Sequence, residues 1–161
     1  MELTHDELAG VVDLFGALTR DELTEAGDEL AFKRGADFDG ENIETALAAY
    51  RLVAFDPDGV VEQSGDEQLV AAGPTAFPTL PDGAEDLPHI LDVEPRTPDR
   101  AALGGVVEGR FRADAARAVR DDDRERIERL LDVSYDLETW APVELDGVRD
   151  RLDAAAGGSG A

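Results

Sequence analysis

The hydrophobic pattern of the first 77 residues changes period once, and this change constrains the fold more than any other feature. Up to Tyr50, apolar residues recur at spacings of three and four, which is typical of amphipathic helices. Two short apolar runs then follow, at 52–55 and 69–72, and the first ends in the turn-forming residues 56–59. This order predicts three helices followed by a β-hairpin.

Capping residues define where the first two predicted helices begin and end. Thr4 and Glu7 have the spacing of a capping box, and Thr19 and Glu22 repeat it. The second box ends the first helix and starts the next one. The basic residues and glycine at 33–35 then form a C-terminal signal for the second helix.

The segment between positions 74 and 98 carries six prolines, which exclude a long regular helix there. We expect an extended connection with one short strand near 89–93. Helical spacing returns after Pro98, although three glycines interrupt it, each of which weakens a helix by about 1 kcal/mol. These glycines indicate either a close helix crossing or a strand, and they are Gly104, Gly105 and Gly109.

The predicted fold class is α+β, mostly α. The length of 161 residues suits one domain, or a small domain with an extension. The patterns divide the chain into a domain of three helices and a hairpin (1–77), a proline-rich connection (78–98), a helical C-terminal region (99–156) and a flexible tail (157–161).

The charge of the chain describes its solvent more than its partner. It carries 38 acidic and 15 basic residues, a formal net charge of −23, and Lys33 is its single lysine. Self-repulsion at this charge is weak in concentrated salt, where the Debye length falls to about 3 Å. We therefore interpret the chain as a halophilic protein. We expect it to be cytoplasmic, because it lacks cysteine, a membrane-spanning apolar run and the pattern of a signal peptide.

The residue types that catalysis and metal binding need do not form recognisable motifs. His5 and His89 lie in separate segments, and none of the three serines has the context of a hydrolase nucleophile. The acidic segments 37–40 and 56–59 fit ordinary turns better than calcium loops. Segment 104–109 has the glycine spacing of a phosphate loop without its lysine and hydroxyl. We predict a non-enzymatic protein with no catalytic residue, cofactor, metal or small-molecule substrate.

The order of elements in residues 4–77 resembles a winged helix-turn-helix domain. The resemblance rests on the apolar stripe 11–18, the junction 18–23, the third helix to Tyr50, and the runs 52–55 and 69–72. The whole sequence also resembles a small haloarchaeal family of uncharacterised acidic proteins. That second resemblance implies an origin and no activity.

The winged-helix resemblance implies that the third helix enters the major groove of DNA. Asn42, Thr45 and Arg51 would then be the candidate DNA contacts. The predicted third helix and the hairpin tip carry mostly acidic residues, whereas phosphate contact needs lysine or arginine. A DNA-binding transcriptional regulator is therefore the alternative function.

Arginines concentrate in the C-terminal region. Seven of them interleave with six acidic residues between positions 110 and 129, which makes this stretch nearly neutral in a very acidic chain. Salt bridges along a helix explain the pattern in one interpretation, and contact with a partner explains it in the other. We predict that the C-terminal helices bind another protein or a second copy of the chain, and the winged-helix resemblance implies a homodimer as one form of this contact. The candidate interface residues are Val107, Phe111, Arg117, Arg120 and Arg124.

Overall fold

The computed structural model describes residues 3–62 and 67–158, which form two compact units. The first is Met1–Asp99 and the second is Arg100–Ala161. Seven α-helices and one three-stranded antiparallel sheet occur in the described residues, which confirms the α+β class with a helical majority. In the same ranges, no helix is both long enough and apolar enough to cross a bilayer.

The three predicted N-terminal helices are present. They are α1 (His5–Phe15), α2 (Arg20–Lys33) and α3 (Glu41–Ala48). α1 ends three residues before the predicted end at Leu18, because Gly16 adopts a φ of +86° that stops the helix.

Both predicted capping boxes are confirmed. The Thr4 hydroxyl accepts a hydrogen bond from the Glu7 amide at 3.0 Å, and the Glu7 carboxylate accepts one from the Thr4 amide at 3.0 Å. Thr19 and Glu22 repeat the arrangement at the start of α2, at 3.1 Å and 2.8 Å. Each box satisfies amide groups that a helix start leaves without partners.

The predicted hairpin is formed by β2 (Leu52–Phe55) and β3 (Leu69–Ala72), with Phe55 opposite Leu69. A further strand, β1 (Leu18–Thr19), pairs with the other edge of β3, so the strand order is β1-β3-β2. Two residues are too few to show the alternation that identifies a strand in a sequence. Residues 63–66 of the hairpin loop lie outside the described residues.

The proline-rich segment packs on the first unit. The Thr79 amide donates to the Asp6 carbonyl at 2.9 Å, and the Arg96 amide donates to the Phe15 carbonyl at 2.8 Å. The prediction of a short strand near 89–93 is wrong. This region instead contains a 3₁₀ turn (Ala84–Asp86) and the short helix α4 (Leu87–Ile90).

α4 tolerates a proline because Pro88 occupies its first turn, where backbone amides do not donate hydrogen bonds within the helix. Leu87 and Leu91 are buried in the core of the first unit. This core lies between the helices and the sheet and includes Leu8, Val12, Phe15, Leu23, Ile43, Leu52 and Val70.

The second unit consists of three helices, α5 (Arg100–Arg120), α6 (Arg124–Trp140) and α7 (Asp146–Gly158). α6 packs against both of the others, and α5 also contacts α7. α7 extends through Gly158, so the first two residues of the predicted tail are helical, and 159–161 lie outside the described residues.

The three glycines lie in the helix α5 and not in a strand, and one of them, Gly104, marks a close approach to the residue that follows α6. A Cβ added to Gly104 would stand 2.5 Å from the Cβ of Ala141. The backbone of α5 therefore lies closer to Ala141 than a side chain at position 104 would allow. Gly105 and Gly109 face open space. The core of this unit includes Leu103, Val107, Phe111, Ile127, Leu137, Leu145 and Leu152.

Candidate binding groove

The second unit has a groove between α5 and α7, with a volume of about 660 Å³. On α5 its lining residues recur at intervals of three and four, so they form one stripe along two turns of the helix. These residues are Arg112, Ala115, Ala116, Val119 and Arg120.

α7 supplies the opposite wall with the same periodicity. Leu152 is completely buried and Val148 nearly so, and these two side chains form the apolar floor. Ala154 and Ala155 keep the wall low because their side chains end at Cβ. The groove is therefore a consequence of small residues placed where two helices meet.

The groove presents apolar surface to water. Val119 is 39% exposed although its neighbours Ala115 and Ala118 are buried. α5 thus has an inner face, which contains Phe111 and packs the core of the unit, and an adjacent face, which contains Val119 and lines the groove.

Three arginines border this apolar surface. The Arg112 guanidinium donates to Glu108 at 2.9 Å and to the Glu144 carbonyl at 3.2 Å. The Arg120 side chain is 72% exposed, and its ion pair with Asp121 is long at 3.6 Å. Arg151 donates to the Gly147 carbonyl at 3.4 Å. All the charged residues that line the groove are therefore arginines in a chain of net charge −23, and two of them, Arg112 and Arg120, also contact a carboxylate outside the lining.

A second group of arginines has a structural role. Asp114 is 4% exposed, and three guanidinium groups surround its carboxylate. Arg117 lies at 2.5 Å, Arg110 at 3.4 Å and Arg126 at 3.5 Å. Here the salt-bridge interpretation of the arginine-rich stretch applies, since a buried carboxylate needs partners.

The structure separates the five candidate interface residues. Val107 and Phe111 are 1% and 0% exposed, so their side chains pack the core of the second unit and are not presented to a partner. Arg117 binds Asp114, and Arg124 is the exposed first residue of α6. Arg120 lines the groove.

Sequence reasoning missed the apolar residues of the groove because most of them are alanines. The signal was nevertheless present. Ala115, Ala116 and Val119 form a helical stripe with Arg112 and Arg120 at its ends.

The candidate DNA contacts are engaged within the first unit. The Asn42 amide donates to the Leu3 carbonyl, and the Thr45 hydroxyl donates to the Asn42 carbonyl at 3.0 Å. The Arg51 guanidinium donates to the Thr75 carbonyl and lies 3.8 Å from the Asp6 carboxylate. Each side chain therefore has a structural partner.

The groups with shifted pKa values belong to structural ion pairs. Hydrogen bonds from Arg149 and from the Leu145 amide lower the pKa of Glu138, and the same contact with Glu138 raises the pKa of Arg149. This pair joins α6 to α7 at 2.7 Å. No group of three histidine and acidic residues in 3–62 and 67–158 has the arrangement of a metal site.

Comparison with known proteins identifies a family and no individual relative. No curated protein and no solved structure matches the chain. One family model, described as a family of unknown function, matches residues 6–157. This match covers nearly the whole chain, and the protein therefore belongs to the family of unknown function DUF7109.

Proposed function

We propose that this protein is a non-enzymatic interaction protein that binds another protein, or a second copy of itself, through the groove between α5 and α7. The observation that carries the proposal is the combination of exposed apolar surface and a basic rim in a chain that is otherwise strongly acidic. Protein interfaces combine an apolar centre, from which the partner excludes water, with a polar rim, and arginine is enriched in them.

Helix packing favours this use of the groove. A surface formed by two helices, with apolar residues at intervals of three and four, accepts an element that inserts its own apolar face. Val119 is the best probe of such contact, because it lines the groove and is 39% exposed.

The test compares Val119→Asp with Val106→Asp. Val106 lies on the same helix and is 43% exposed, but it is outside the groove lining, so it is a matched control. Sedimentation velocity measures self-association, and quantitative pull-down in concentrated KCl measures retained polypeptides. We expect the native chain and Val106→Asp to form the same complex. Val119→Asp should form at least tenfold less of it. Thermal unfolding by circular dichroism checks that both variants remain folded.

A charge pair adds a second test. Arg120→Glu reverses a rim charge, whereas Arg129→Glu reverses an exposed arginine of α6 outside the groove lining. Equal retention of every partner by both charge variants and by both aspartate variants would contradict the proposal.

The proposed setting is the cytoplasm of a halophile, and the net charge of −23 supports this setting because concentrated salt weakens self-repulsion.

The second candidate function is DNA binding by a winged-helix-like first unit. The order α1-β1-α2-α3-β2-β3 and the antiparallel sheet support this alternative. The exposed carboxylates Glu41 and Glu44 on α3 oppose it, since they repel phosphate.

Fluorescence anisotropy with duplex promoter fragments, including the gene's own promoter, in molar KCl distinguishes the two functions. We expect no sequence preference. Sequence-specific binding that Arg51→Ala abolishes without changing the free energy of unfolding would favour the regulator. The stability measurement is necessary because Arg51 also holds the Thr75 carbonyl.

A further inference from the structure

We infer that the groove between α5 and α7 binds an acidic amphipathic helix of a different polypeptide. This inference rests on the proposed function and names the occupant. The bound helix would place apolar side chains at spacings of three and four into the groove and would direct aspartate or glutamate toward the rim.

The dimensions of the groove suit a short helical segment. The α5 stripe from Arg112 to Arg120 covers eight residue steps, or about 12 Å at the rise of an α-helix. Apolar anchors at positions i, i+3, i+4 and i+7 of a bound helix cover nearly the same length. Ala115 and Ala116 permit the close approach of another backbone.

The arrangement of the second unit leaves this side of the helix pair open. α6 packs against both α5 and α7, whereas the groove is lined by α5 and α7. A helix in the groove would be the fourth member of a bundle, which is a common way to cover an apolar stripe.

The rim determines the charge of the occupant. Arg112, Arg120 and Arg151 stand on both walls of the groove, so a helix that enters between them passes guanidinium groups on each side. Acidic flanks on the occupant match these groups, and basic flanks would be repelled.

The same rim disfavours a second copy of the chain. In a two-fold contact the stripe of one copy meets the identical stripe of the other. An axis near Ala115 and Ala116 would bring Arg112 of one copy toward Arg120 of the second copy. The apolar residues would match but the rims would repel, so a partner with acidic flanks is the better complement.

The experiment uses a small panel of fluorescent synthetic peptides with the full chain. Acidic amphipathic peptides carry Ala, Val or Leu in a helical stripe with Glu elsewhere. One control scrambles the stripe at equal composition, and another replaces Glu with Lys. Anisotropy is measured in about 0.5 M KCl, where the Debye length is about 4 Å, so repulsion from distant carboxylates is screened while direct contacts persist.

We expect at least one acidic amphipathic peptide to bind at least tenfold more tightly than its scrambled form and its lysine form. Val119→Asp should weaken this binding at least tenfold, and Val106→Asp should leave it within twofold. Arg120→Glu should weaken binding of the acidic peptide and strengthen binding of the lysine peptide, whereas Arg129→Glu should change neither. Rescue by the exchanged charge requires a folded groove, so this result does not depend on comparing stabilities.

The remaining outcomes overturn the inference and show what survives. Self-association of the chain that Val119→Asp abolishes would make a second copy the occupant, and the proposed function would stand. If a protein partner binds in a Val119-dependent way but no acidic peptide binds, the inference of an acidic helix as the occupant is overturned and the proposed function stands. Absence of every Val119-dependent complex would overturn both.

Discussion

The guanidinium of Arg96 lies 2.8 Å from the carboxylate of Glu22 and joins the proline-rich segment to the first turn of α2. Glu22 is also the acidic member of the second capping box, so one carboxylate serves both contacts. Burial alone would raise the pKa of Glu22, but the hydrogen bonds from Arg96 and Thr19 outweigh burial and lower it. This pair therefore holds the proline-rich segment against the first unit.

Replacing Arg96 should loosen that attachment. Arg96→Ala removes the bonds to Glu22 and to the Ala17 carbonyl, and we expect the free energy of unfolding to fall by about 2 kcal/mol. Urea denaturation measures the change, and hydrogen exchange should locate it in the first unit. Glu94→Ala, an exposed substitution in the same segment, should change stability by less than about 0.5 kcal/mol. Equal stability of the two variants would show that the backbone hydrogen bonds and apolar contacts of the segment hold it without the Arg96 side chain.

Glu138 should make the second unit sensitive to acid. Its pKa in the folded chain is below the ordinary value of 4.5, because Arg149 and the Leu145 amide bind the ionised form. The stabilisation is therefore complete above pH 4.5 and is lost as the pH falls through the lower folded pKa. Glu138→Gln should reduce stability at pH 7, and its difference from the native chain should shrink in that acidic range.

Urea denaturation at a series of pH values measures this effect. Asp146→Asn is the matched control, since Asp146 contacts the same Arg149 but its side chain is 86% exposed. It should change stability little at any pH because exposed ion pairs contribute little. A constant difference between Glu138→Gln and the native chain across the acidic range would contradict the prediction.

Two adjacent glycines of α5 should respond in opposite directions to alanine. Gly105→Ala meets open space and should stabilise the chain by about 0.5–1 kcal/mol through helix propensity. Gly104→Ala would place its methyl group 2.5 Å from the Cβ of Ala141, and overpacking of this kind costs about 1–3 kcal/mol. Thermal unfolding measures both variants. Equal gains would mean that the crossing at Ala141 has room to relax.

The acidic surface should make stability depend on salt. Raising KCl from about 0.05 M to about 0.5 M shortens the Debye length from about 14 Å to about 4 Å, so repulsion at a net charge of −23 weakens and the free energy of unfolding should rise. The double variant Glu25→Gln/Asp28→Asn removes two exposed carboxylates of α2 and should show a smaller rise. Salt-independent unfolding would contradict a halophilic interpretation.

Local signals in the sequence were sufficient for most of the first unit. Capping boxes depend on residues three positions apart, and the paired Thr4 and Thr19 placed the starts of α1 and α2 correctly. β1 escaped prediction because Leu18 and Thr19 become a strand only when β3 pairs with them. The prediction of a strand near 89–93 was wrong for a related reason. No strand of the described sheet pairs with this segment, and Pro88 suits the first turn of a helix, so the segment forms α4.

The candidate site shows the same division. The arginine-rich stretch drew attention to α5, and Arg120 does line the groove. Sequence spacing cannot distinguish the inner face of α5 from its adjacent face when both contain apolar residues. Phe111 was therefore proposed as a contact although it is buried, and Val119 was not proposed although it is exposed.

The sequence by itself determined the starts of α1 and α2, the hairpin, the net charge and the α+β class, because each follows from neighbouring residues or from composition. Only the tertiary structure decided which arginines surround Asp114 and which border the groove. That assignment depends on how α5 rotates about its axis against α6 and α7. The rotation is set by packing between residues far apart in the chain, such as the approach of Gly104 to Ala141.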